Sequence, residues 1–292
     1  MIDHEKRMNK FVNVFTYLLV IAIALAILIP VLWVTLASFK QKSEFYGNPW
    51  ALPRGLDIHN FIDAFVTAKM GQYFLNSVIV TACALVLNLL LSVPAAYVIS
   101  RFKFRGRKLL NTFFMAGLFI NVNYIVVPIF LMLVQGDRRL MNFFPNGFFI
   151  NNLFILALVY AATTIPFTIY LLGGYLQTIS PEYEEAAMMD GATHLQVMNR
   201  VIIPMAKPSI ITVVLFNFLS YWNDYIISLT LMPGENRTLQ VGLLNLMTAQ
   251  KAAANYGRLY AGMVIVMIPA LMIYAFIQKQ MLEGMASGGS KE

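Results

Sequence analysis

The chain has 292 residues, is 59% hydrophobic and only 12% charged, and carries a net charge of +7. Soluble domains average about 25% charged residues, so these values exclude a soluble globular protein and indicate an integral membrane protein. A lone cysteine, Cys83, excludes an intrachain disulfide and a cysteine-based metal site.

Other classes are excluded by pattern. The basic residues flank apolar runs and form no stripe with aromatics, so no nucleic-acid partner is indicated. His4, His59 and His194 lie far apart and make no metal-ligand pattern. The sequence has no GxxxxGK phosphate loop, no GxSxG and no HExxH. No catalytic residues, metal ligands or cofactor site are therefore expected in this chain.

A membrane helix needs about 20 apolar residues. Charge-free intervals predict six spans, near 12–37, 73–99, 109–134 and 151–176, then Pro208 to Leu231 and Leu259 to Gln280. Ala24 and Ala26 form an Ala-x-Ala, but the apolar run continues to Leu36, so the first span reads as uncleaved. The interval before the fourth span is broken at Pro145-Asn146-Gly147. Between the first two spans, 38–72 is the longest predicted extracytoplasmic piece. It has turns at Pro49-Trp50 and Pro53-Arg54-Gly55, a short amphipathic helix at 58–69, and Tyr46 and Trp50 suited to a membrane interface.

Orientation follows from the basic residues. Arg101, Lys103, Arg105, Arg107 and Lys108 crowd the short loop after the second span. Short dense loops weigh most, so both termini are expected in the cytoplasm. The loop between spans four and five, Ser180 to Pro208, then also faces the cytoplasm. It reads as two short helices. Ser180, Pro181 and Glu182 start the first; Gly191 ends it; Thr193 caps the second, and Pro204 limits it. The loop is acidic (Glu182, Glu184, Glu185, Asp190), so anionic lipid would repel it, and a protein partner is the better match.

Polar residues inside spans are functional candidates. Asn217, Ser220, Tyr221, Asp224 and Ser228 fall on one face of a continuous fifth helix, with Trp222, Asn223 and Tyr225 beside Asp224. Two readings stand: a passage for a polar solute, with rings on which sugars stack, or hydrogen bonding between helices. Asn121, Asn123 and Tyr124 precede Pro128, and Thr163 and Thr164 precede Pro166, which suggests kinks or unwound backbone beside a cavity, or else packing. Asn88 is a weaker candidate.

The loop resembles the EAA signature of bacterial ABC-importer permeases. Glu185-Ala186-Ala187 is followed after three residues by Gly191, and after nine more by Val201-Ile202-Ile203-Pro204. Asn76-Ser77, the Arg101 to Arg107 run, Ile165-Pro166-Phe167 and Trp222-Asn223-Asp224-Tyr225 resemble the shorter (MalG-like) permease of maltose-type carbohydrate importers. So does the tail from Gln278, although Met285-Ala286-Ser287 departs from the usual pattern.

The resemblance implies an all-α membrane protein with the six-helix type I importer (MetI-like) fold. Its parts would be an N-terminal segment and first span (1–72), a five-helix core (73–282) and a cytoplasmic tail (283–292). It implies a coupling helix seated on a separate ATPase through Glu184, Glu185, Ala186, Ala187, Asp190, Gly191 and Pro204. The implied partners are a second, MalF-like permease, an ATPase dimer that uses ATP and Mg, an extracytoplasmic sugar-binding protein and membrane lipid. The implied cargo is a sugar or oligosaccharide, with a glycerol-phosphate-like solute as the alternative. A stand-alone secondary transporter is the rival class, and Asp224, the only carboxylate inside a span, is thin support for it.

Overall fold

The computed structural model describes residues 2–145, 147–253 and 255–288, with side chains described over 12–45, 48–145, 147–249 and 255–279. Asn146, the Tyr46 side chain and the side chains of the 283–292 tail lie outside these residues. Every regular element among the described residues is helical. Four helices are long and apolar enough to cross a membrane, at Val12–Ala37, Met70–Arg101, Leu153–Leu176 and Tyr256–Lys279. Two bent pairs, each taken as one broken span, bring the number to six.

The chain divides into two compact units. The first comprises Met1–Met70 and Asn245–Ile265, the second Gly71–Leu244 and Val266–Glu292. Residues 245–265 thus group with the N-terminal part.

In the first unit, α1 (Ile2–Ala37) leaves its most apolar stretch with no residue buried. Helices α2 (Lys42–Gly47) and α3 (His59–Ile62) follow, and α3 continues as a π-turn through Asp63–Thr67. Asn60 donates to the carbonyls of Ser38 and Lys40 at 3.0 and 2.9 Å. A Cβ on Gly257 would sit 2.6 Å from both the Lys40 carbonyl and the Asn60 amide, so glycine is required for that approach. Arg258 pairs with Asp63 at 2.6 Å. The Arg258–Asp63 pair and the close approach of Gly257 tie residues 245–265 to the N-terminal part.

The second unit is built round α7 (Leu153–Leu176), half of whose apolar window is buried. Helix α4 (Met70–Arg101) packs on it in two apolar clusters. One contains Val80, Ala84, Leu156, Tyr160, Tyr221 and Leu231; the other contains Tyr97, Ile169, Leu172, Val197, Ile202 and Val213. Burial of such side chains contributes little beyond van der Waals packing where lipid is equally apolar. Polar pairing between the clusters therefore fixes the register of the bundle.

The structure corrects three sequence readings. The third span is not continuous. Helix α5 (Arg107–Gly117) ends and α6 (Val122–Arg139) begins after a bend of 103°. Gly117 lies so close to α7 that a Cβ there would meet Pro166 at 2.8 Å, and Asn121 accepts from the Asn123 backbone N–H at 3.0 Å, starting the new helix.

The fifth span is also broken. Helix α11 (Lys207–Asn223) stops at Asp224, whose backbone is extended, and α12 (Ile226–Leu231) starts afresh. The Asp224 carboxylate accepts from the backbone N–H of Ser228 at 3.1 Å and that of Ile227 at 3.5 Å. An aspartate that caps the next helix competes with continuation of its own. Helix α13 (Leu239–Ala253) then precedes α14 (Tyr256–Gly288) and was not foreseen.

Finally, Pro204 does not end its helix. From α9 (His194–Val197) the chain runs through a π-helical turn, Met198–Ile202, into α10 (Ile203–Met205), and the 75° turn towards α11 comes at buried Ala206. Pro204 lies one residue before the end of α10 at Met205.

Candidate functional site

At the end of the core that carries the 101–108 run, α8 (Glu182–Met189) and the α9–α10 segment form the two helices expected of the loop. Ser180 Oγ accepts from the Glu182 N–H at 3.4 Å, and Thr193 and Gln196 form a reciprocal capping box. Gly191 has φ +83°, a conformation that an L side chain adopts only with strain. The turn between the helices is fixed by that residue.

The two glutamates of Glu184-Glu185 part company. Glu184 is buried; its Oε1 lies 2.6 Å from Arg101 Nε, and its Oε2 accepts from the Tyr97 hydroxyl at 3.1 Å. Arg101 also donates to the Ile179 carbonyl at 2.8 Å. The tip of α4 and the loop are thereby locked together. Tyr97 lies in the apolar cluster that also takes Val197, Ile202 and the partly buried Ala187.

Glu184 is therefore turned away from the surface it was expected to present. Glu185, Ala186, Asp190 and Gly191 are exposed. Beside them Tyr183, Met189 and Leu195 stand out of the loop, Met189 at 84% exposure and Leu195 at 65%. Exposed large apolar side chains on capped helices make a contact surface. Sequence reading weighed the charges and missed this apolar component.

Between the two apolar clusters lies a polar layer. Asn88 on α4, Thr164 and Thr168 on α7 and Asn217 on α11 meet there. Asn88 donates to the Ala161 carbonyl at 3.2 Å and Thr164 Oγ1 at 3.0 Å. Its Oδ1 accepts from Thr168 at 2.9 Å and from Asn217 at 3.2 Å, and Asn217 donates to Thr168 at 2.9 Å. Asn88, Thr168 and Asn217 are all fully or almost fully buried. Such a group in hydrocarbon depth is tolerated because its partners are supplied by neighbouring helices.

The layer continues outward. Thr164 bonds the Tyr221 hydroxyl. Tyr221 stacks on Tyr160 with ring centroids 5.4 Å apart, and Tyr160 donates to Asp224 Oδ2 at 2.7 Å. Ser228 bonds Thr238 at 2.7 Å. Among the stripe residues, Asn217, Tyr221 and Asp224 bond to α7, and Ser228 bonds Thr238 just before α13. Trp222 is not a free platform either: it is buried, stacks on Phe218 and donates to the Val266 carbonyl at 3.0 Å. Asn88, ranked low from the sequence, is the hub. Tyr160, Thr168 and Thr238 were not singled out at all, because hydroxyls and phenols are too common in apolar runs to be distinctive.

A different set faces outward at the two breaks. Asn121, Asn123 and Tyr124 at the α5–α6 break are exposed, and so are Ser220, Asn223 and Tyr225 at the α11–α12 break. Val122 at the start of α6 and Ile226 at the start of α12 both pack against the same apolar cluster. Broken helices leave backbone groups without helical partners, and lipid cannot supply them. The exposed side of these breaks must therefore meet water, protein or a polar solute.

The fold, all-helical among the described residues, with long apolar helices, broken ones beside them and two capped helices at one end, is that of a membrane protein. Residues 88–285 match the family model described as the binding-protein-dependent transport system inner membrane component, and the chain belongs to that family. It is 33% identical over 274 residues to the diacetylchitobiose uptake system permease protein NgcG of Streptomyces coelicolor, covering 94% of this chain and 87% of that protein. It is 27% identical to the galactooligosaccharides transport system permease protein GanQ of Bacillus subtilis, covering 98% and 99%. The fold matches a chain in the crystal structure of a bacterial ABC transporter involved in import of the acidic polysaccharide alginate, with TM-score 0.75 at 24% identity, covering 94% of this chain and 97% of that chain.

Proposed function

We propose that this permease imports a sugar or oligosaccharide, with its 180–206 loop facing the cytoplasm and seated on a separate ATPase. The observation that carries the reading is the split of Glu184 and Glu185. Glu184 anchors the loop to α4 through Arg101, while Glu185, Ala186, Met189 and Leu195 are left for a partner. A lever of this form needs one rigid attachment and one docking face. ATP and Mg belong to the ATPase in this reading; a second permease, an external binding protein and the surrounding lipid complete the system. The sugar cargo is supported by the substrates for which the relatives are named.

The substrate-facing residues in this reading are Asn121, Asn123, Tyr124, Asn223 and Tyr225 at the two breaks, with Asp224 shaping the break from behind. Asn217, Tyr221 and Trp222 hold the helices that form it. No Lys or Arg lies within the central parts of these spans, which favours a neutral solute over a phosphate.

The test is uptake by proteoliposomes holding the complete transporter and its binding protein. Glu185→Lys should abolish ATP-dependent sugar uptake while the chain still inserts and assembles with its partner permease. Uptake at the unmodified rate would refute the docking assignment. Flux through this chain alone, without an ATPase, would replace the whole reading with that of a secondary transporter.

A further inference from the structure

A cleft between α4, α5 and α7 is used by neither the docking loop nor the two breaks. Its mouth, about 740 Å³, is lined by Lys103, Arg107, Lys108 and Gln177 among others. A deeper section of about 260 Å³ is lined by Ala96, Ser100, Met115, Ile169, Tyr170 and Gly174 among others. Ile99, Asn111 and Gln177 line both, so the two sections are continuous.

The cleft is polarised. No lining residue is acidic, and no acid occurs between Arg101 and Asp137. Arg107 is occupied, donating to the carbonyls of Ile99 at 2.7 Å and Ser100 at 3.2 Å. Lys103 and Lys108 are exposed at the mouth. Along the wall, Leu109 and Tyr170 are more than half exposed. Depth matches as well. The 11 residues of α5 span about 16 Å at 1.5 Å per residue, close to half of a hydrocarbon core about 30 Å thick.

We propose that this cleft holds one anionic phospholipid of the cytoplasmic leaflet. Its phosphate sits at Lys103 and Lys108, and an acyl chain lies along Met115, Ile169 and Tyr170. A cationic mouth over an uncharged, largely apolar trough is complementary to such a lipid. The uncharged deeper section would leave an acidic peptide's side chains unpaired. The assignment rests on the inward orientation proposed above.

The test uses the assembled transporter in detergent, analysed by native mass spectrometry with dioleoylphosphatidylglycerol or dioleoylphosphatidylcholine added. One phosphatidylglycerol should be retained per copy of this chain in preference to phosphatidylcholine. Lys103→Gln with Lys108→Gln should weaken retention roughly 30-fold, the effect of two charges beside a headgroup. Gly174→Trp should also lose the lipid with both lysines intact, because a Cβ there meets nothing within 4 Å and the ring would fill the trough. Arg139→Gln, at the far end of α6, should change nothing.

Equal retention of the two lipids, or normal retention in the double lysine variant, would overturn the proposal. So would a crosslink from position 174 to a partner polypeptide in place of lipid. Orientation is read separately by labelling Arg105→Cys with a membrane-impermeant maleimide in vesicles of known sidedness. Labelling from the outside would refute the orientation whatever the lipid result.

Discussion

Glu184→Gln is the most informative single change. It removes the charge from the pair with Arg101 but keeps an oxygen that can accept from Tyr97. Breaking a fully buried ion pair by removing one partner costs about 3–5 kcal/mol. Here the side chains keep 9% and 12% exposure, and Arg101 retains its bond to the Ile179 carbonyl. The expected loss is therefore lower, about 2–3 kcal/mol. At about 2–4 °C per kcal/mol for a chain of this size class, the apparent melting midpoint in detergent should fall by about 4–12 °C. Arg101→Gln should cost a similar amount. The double variant should cost less than the sum by about 1–3 kcal/mol, because the second change removes a charge that has already lost its partner. Glu185→Gln, the next residue along but exposed, should leave the melting midpoint unchanged and weaken association with the ATPase. Additive effects of Glu184→Gln and Arg101→Gln would show that the pair does not anchor the loop. So would a Glu184→Gln chain of normal stability with weakened ATPase association, since that would make Glu184 the docking residue.

Further expectations follow from the same geometry. Asn88→Leu strands Asn217, Thr168 and Thr164 in the core and should destabilise the bundle by about 2–3 kcal/mol, read as a lowered melting midpoint; a change below about 0.5 kcal/mol would mean that the layer is not a structural hub. Gly191→Ala forces a side chain to φ +83° and should cost about 1–2 kcal/mol, with ATPase coupling falling alongside local stability by hydrogen exchange. Asp224→Leu should remove the cap on α12 and alter sugar transport more than ATPase association; wild-type transport in a folded variant would exclude the α11–α12 break from the solute path. In the first unit, the backbone N–H groups of Arg54 and then Gln41 hold the Glu44 carboxyl below its ordinary value of 4.5. A depressed carboxylate stabilises above 4.5 and loses that contribution as pH falls through its folded value. Exchange of the Arg54 amide, corrected for its intrinsic pH dependence, should therefore rise on acidification below 4.5, and Glu44→Gln should remove that rise.

The sequence by itself determined the membrane class, the six apolar intervals, the two-helix loop and its glycine turn. Each depends on composition or on local preference: hydrocarbon admits only long apolar stretches, and caps, proline and a left-handed glycine act within a few residues. The EAA spacing, with the 101–107 run, carried the family resemblance for the same reason, being a fixed pattern along the chain. Tertiary structure alone decided the rest. The break at Asp224 was invisible because an aspartate in an apolar run reads equally well as a face of a straight helix, and only the Ser228 and Ile227 amides reveal it as a cap. Asn121 and Asn123 before Pro128 hinted at a kink near the break after Gly117, but its 103° size and the close approach of Gly117 to Pro166 appear only in the folded chain. Glu184 and Glu185 are adjacent and chemically identical, so no local rule separates them. One points at Arg101, 83 positions earlier, and the other at solvent, because α8 can bury only one face against the tip of α4. Asn88 became the hub for the same reason: its partners are 73 to 129 residues away in sequence, and hydrogen bonding across helices is a property of the packed bundle.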